Sequence, residues 1–127
     1  LSAPFFEGTT PLIADRYILR FIAGAAITVG QVVELTAAWT VSPTASTTGS
    51  YKFMGVALTN ASAAGKSVTV ICRGLVRATC YGSVSAGDQI ATGPNGTLQT
   101  YTTHDTAAVA NAVTAGTSGG TAYFIIW

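Results

Sequence analysis

Charge is what this sequence has least of. Only 9% of its 127 residues are Asp, Glu, Lys or Arg, against about 25% in an ordinary soluble domain. Six basic and five acidic side chains leave a net charge of +1. That excludes a basic stripe following a phosphate backbone, and no nucleic-acid partner is expected. Long apolar runs are missing too. The nearest candidate, Ile18 to Leu35, is interrupted by Arg20, Gly24, Gly30, Gln31 and Glu34, so no membrane span is expected. Leu1 is followed by neither a charged n-region nor an apolar h-region, and no signal peptide is expected in these residues.

Chemistry-bearing residues are equally sparse. The single histidine, His104, stands beside Asp105, but sequence neighbours rarely point their side chains at one another, and no G-x-S-x-G elbow is present. A turn histidine is the expected role. The carboxylates Glu7, Asp15, Glu34, Asp88 and Asp105 lack the alternating spacing of a calcium loop. Zinc would have to use Cys72, Cys80 and His104, one ligand short. The glycines around Gly116, Gly119 and Gly120 have no lysine after them, so they do not read as a phosphate loop. Arg73 and Arg77 form the one basic cluster and read as a solvated strand face. The expectation is a chain with no catalytic residues, no cofactor and no metal, and therefore not an enzyme.

Cys72 and Cys80 are the only cysteines. On one extended segment they would lie about 26 Å apart at ~3.3 Å per residue, too far to bridge. A disulfide needs a turn at Cys72-Arg73-Gly74-Leu75. Two half-buried thiols are the preferred reading.

What is present is β-structure. Arg16 to Ala23 is β-branched and aromatic, with Tyr17, Leu19 and Phe21 on one face. Strand-like runs follow at Gln31 to Leu35, Trp39 to Val41, Tyr51 to Leu58, Ser67 to Cys72, Leu75 to Tyr81, Gln89 to Thr92, Thr97 to Thr102 and Thr121 to Trp127. Thr28-Val-Gly-Gln31 and Ser85-Ala-Gly-Asp88 place glycine third, as a type II turn needs. Gly93-Pro-Asn-Gly96 suits a type I turn. Asp105 to Val113 alone reads as a capped helix, since alanine is the best helix former.

An internal repeat opposes that helix. Ile27-Thr-Val-Gly-Gln-Val-Val33 matches Val84-Ser-Ala-Gly-Asp-Gln-Ile90, and Val56 to Gly65 matches Asn111 to Gly120, at offsets of 57 and 55 residues. On that logic Ala110 to Thr114 is a strand. The fold class expected is all-β: a compact β-sandwich or barrel of two related β halves. Residues 1–15 read as an irregular N-terminal arm, broken by Pro4, Gly8 and Pro11, and residues 16–127 as a single β domain.

The succession Gly24 to Val33, Gly55-Val-Ala-Leu58, Ala64-Gly65, Val68 to Ile71, Gly74-Leu-Val76 and Val84 to Ile90 resembles the capsid decoration (cement) proteins of tailed phages and related viruses. The resemblance covers roughly Arg16 to Trp127. The chain departs from it in the Thr-rich stretch Thr36 to Ser50 and in the Phe-containing arm. The resemblance implies a structural virion protein on the outer capsid surface, bridging major capsid protein subunits, often as a homotrimer. Two other readings share the composition: a subunit of an extracellular filament or surface layer, and a small carbohydrate-binding module stacking sugars on Trp39 and Tyr101. The candidate contact residues are Pro4, Phe5 and Phe6 in the arm. To these the last strand, apolar on both faces, adds Tyr123, Phe124 and Trp127.

Overall fold

A computed structural model describes residues 16–102 and 107–127. Nine strands carry the described residues: β1 Tyr17–Ala23, β2 Val32–Ala37, β3 Thr40–Pro43, β4 Phe53–Ala57, β5 Ser67–Thr79, β6 Gln89–Thr92, β7 Leu98–Thr100, β8 Ala110–Ala112 and β9 Thr121–Ile126. The protein is all-β, as the alternation and the β-branched content require. The stretch that alone reads as a helix ends in strand β8, as the repeat implied. His104 and Asp105 lie outside the described residues.

The pairings form two rings that share one strand. In the first, β1 pairs with β3, β3 with β2, β2 with β4, β4 with β5, and β5 returns to β1. All are antiparallel except β1–β3, which places Ala23 beside Val41. In the second, β5 pairs with β9, β9 with β8, β8 with β6 and β6 with β7. A parallel bridge from Cys80 to Leu98 closes it. Each ring is a small five-stranded barrel, a closure that leaves few open strand edges.

The two barrels are copies of one unit. The end of β5 in the second takes the place of β1 in the first, and β6, β7, β8 and β9 take the places of β2, β3, β4 and the start of β5. Shared details fix the correspondence. Ile27 bridges Ala61 as Val84 bridges Gly116. Gly24 donates to the Val41 carbonyl at 2.7 Å as Tyr81 donates to that of Leu98 at 2.8 Å. Both turns called type II hold their glycine at φ 91° (Gly30 and Gly87). In each, the fourth side chain accepts from the first backbone N–H: Gln31 Oε1 from Thr28 and Asp88 Oδ2 from Ser85, both at 2.9 Å.

The runs Ser67 to Cys72 and Leu75 to Tyr81, read apart in sequence, belong to one strand: β5 runs unbroken for 13 residues, without the turn that a disulfide would need. Gly74, at φ 112°, lets it pass from one barrel to the other, a conformation costly for any residue with a Cβ. Both cysteines are accordingly free, Cys72 half-buried and Cys80 fully buried. Gly93 to Gly96 is not type I, because Asn95 (φ 56°) and Gly96 (φ 71°) both take left-handed conformations.

The core is divided in the same way. Phe21, Ala23, Val33, Val41, Val68 and Val70 fill the first barrel. Val76, Ala78, Ile90, Leu98, Phe124 and Ile126 fill the second. Val32, Val56 and Ile71, which point out of the first barrel, belong to the second core and are at most 1% exposed. One barrel's outer wall therefore closes the other barrel's side.

Candidate interaction surface

With the cores filled, a large apolar surplus remains outside. Tyr51 is 84% exposed, Tyr17 64%, Trp39 63% and Trp127 52%. Scattered apolar side chains are ordinary on a protein surface, whereas a contiguous set marks an interaction site. Here Tyr51, Trp39 and Trp127 stand on contiguous clefts. Three clefts of about 450, 360 and 340 Å³ adjoin along one side, and Met54 lines all of them. The first is walled by Leu35, Tyr51 and Phe53, the second by Leu19, Phe21 and Trp39, and the third by Phe53, Cys72, Val109 and Trp127.

Trp39 is placed by the β2–β3 hairpin. Its backbone is left-handed, at φ 55°, a conformation disfavoured for a bulky side chain. The indole leans on Phe21, with ring centroids 5.7 Å apart. Trp127, next to the end of β9, donates from Nε1 to Asn111 Oδ1 at 2.7 Å, which fixes its ring against β8.

Of the contact residues expected from sequence, Tyr123 and Trp127 are exposed, at 44% and 52%. Phe124 is corrected: at 0% exposure it fills the second core and has no surface to offer a partner. Strand β9 lies between β5 and β8, so its even residues point inward and its odd residues outward. Pro4, Phe5 and Phe6 lie outside the described residues. Leu19, Tyr51 and Met54 were not expected from sequence as contact residues, and Trp39 only as a sugar platform. The repeat carried a signal for Trp39, since the equivalent position in the second unit is Gly96, where a left-handed backbone is unremarkable.

Among the described residues no three His, Cys, Asp or Glu side chains come together as a metal site. Burial pushes both thiols above the usual cysteine range, which makes them weaker nucleophiles.

No family model matches the chain, and no curated protein matches it. A solved structure does. The head fiber gp8.5 N base of bacteriophage phi29 superposes with a TM-score of 0.66 over 88% of this chain and 94% of that one. The two share a fold. At 16% identity the likeness reaches no further than architecture, and that shared architecture is the tandem of β units described above.

Proposed function

We propose that this chain is a non-enzymatic structural protein of a phage virion. In this reading it binds the outer surface of the assembled capsid and stabilises the shell by bridging neighbouring major capsid protein subunits, with copies of itself alongside. The observation that carries the reading is the fold shared with the phi29 head fiber base. It agrees in direction with the sequence resemblance to capsid cement proteins. The composition supports it as well. A chain with only 9% charged residues and a run of adjoining apolar clefts suits a protein packed against neighbours, because charge is depleted at interface cores. Binding only the assembled shell stabilises that state by mass action.

The test is a purification and reconstruction of the particles that carry this chain. The expected result is density for the β tandem outside the shell across a subunit junction. Stripped particles should then rupture at a lower temperature than decorated ones. Recovery of the chain only as free protein, or only inside the particle, would overturn the reading. So would a hydrolytic activity of the purified chain that disappears in His104→Ala or Asp105→Asn.

A further inference from the structure

The internal contact between the two barrels shows what a barrel of this kind accepts on its open side. The second barrel receives Val32, Val56 and Ile71 from the outer wall of the first. Its hairpin turn presses close. A Cβ added at Gly96 would lie 3.0 Å from that of Gln31, the Gly96 N–H donates to the Thr44 carbonyl at 2.9 Å, and the Thr44 hydroxyl donates to the Gly93 carbonyl at 2.8 Å. The contact runs head to tail, the open side of one unit on the back of the other.

Such a contact leaves one open side and one back unused, and among the described residues the molecule carries both. On the first barrel, the positions equivalent to Val76, Ala78, Thr92, Val109 and Gly96 are Leu19, Phe21, Leu35, Met54 and Trp39. Leu19 is 42% exposed where Val76 is 5%, and these side chains wall the 360 Å³ cleft. On the second barrel, the position equivalent to Ile71 is Ile125, 46% exposed instead of buried. Gln89 and Asn111 replace Val32 and Val56, and the Trp127 indole is bonded to Asn111.

We propose that the cleft of Leu19, Phe21, Leu35, Trp39 and Met54 receives the back of the second barrel of another copy, centred on Ile125. Both halves of one contact stand at unpaired positions of one molecule, which is the requirement for heterologous association. It differs from the internal contact in two ways. Trp39 stands where Gly96 stands, so an indole fills the space that close backbone approach fills within the chain. The polar Gln89 and Asn111 weaken the contact, so it forms where copies are crowded. Crowding on a shell belongs to the function proposed above, but the contact is tested on free protein, so its failure leaves the capsid assignment standing.

The experiment is sedimentation velocity on the full chain up to about 1 mM, the range for weak association. It compares the wild type with Trp39→Asn, chosen because asparagine tolerates a left-handed backbone, and Ile125→Arg, at a position already facing solvent. The wild type is expected to associate with rising concentration, and each variant to do so at least about tenfold more weakly. A mixture of the two variants retains one intact cleft and one intact back, and is expected to form dimers and nothing larger. A wild type monomeric throughout would overturn the proposal and leave the cleft for another protein. It would also be overturned if mixing gave no rescue, or if Trp39→Asn lowered stability while association stayed unchanged, which would make the indole a lid for its own barrel.

Discussion

Ile71 and Ile125 occupy the same place in two copies of one barrel, yet Ile71 is 0% exposed and Ile125 46%. The difference lies in neighbours, not in local sequence. Ile71 is roofed by the second barrel, and among the described residues nothing roofs Ile125. Ile71→Ala is therefore expected to destabilise the fold by about 2–5 kcal/mol, a transfer term plus a cavity term. Ile125→Ala should cost less than about 1 kcal/mol in dilute solution. Urea unfolding of both variants measures the contrast, and equal losses would mean that the barrels do not pack as described.

Gly55 is expected to tolerate no side chain. A Cβ there would run into the carbonyl of Ile71, on the neighbouring strand of the same barrel. Gly55→Ala should lower stability by more than about 3 kcal/mol, in the range of severe steric and backbone defects. Gly119→Ala is the control. Its backbone is left-handed (φ 81°) but a Cβ would meet nothing within 4 Å, so only the conformational cost of about 1 kcal/mol applies. Thermal unfolding of the pair separates collision from strain.

Among the described residues the buried Thr92 hydroxyl has no hydrogen-bond partner, which leaves its desolvation uncompensated. Its counterpart in the first barrel is Leu35, which shows that the position accepts an apolar side chain. Thr92→Val is isosteric and is expected to be neutral or stabilising by up to about 1–3 kcal/mol, the penalty of an unsatisfied buried group. A clear loss of stability in denaturant titration would reveal a partner for that hydroxyl.

Asp88 closes its turn by accepting from the Ser85 N–H at 2.9 Å and from the Thr100 hydroxyl at 3.1 Å. Asp88→Ala should cost about 1–2 kcal/mol, as lost side-chain caps do. Asp88→Asn, which keeps an acceptor oxygen, should recover most of it in the same assay.

The thiols should react in order of burial. Cys72 is half-buried and Cys80 fully buried. A thiol-specific chromogenic reagent is expected to label Cys72 slowly in the native protein and Cys80 only on unfolding. Two thiols released in denaturant without reductant would agree with the absence of a disulfide between them. No release would contradict it.

Local information carried much of this structure. The alternation in Arg16 to Ala23 and the third-position glycines of two turns reflect backbone sterics that act within a few residues. The offsets of 57 and 55 residues exposed the duplication, and the second correctly overrode the helix propensity of Ala110 and Ala112 in β8. What the sequence could not carry was how the units join. A turn after Cys72 and a strand through Gly74 are both open to a glycine, and only the pairing of one strand with partners in both barrels selects the second. Likewise, the last strand is apolar on both faces in sequence. Packing alone assigns Phe124 to the core and leaves Ile125 and Trp127 at the surface, because burial is decided by which distant segments cover a face, and that is a property of the assembled fold.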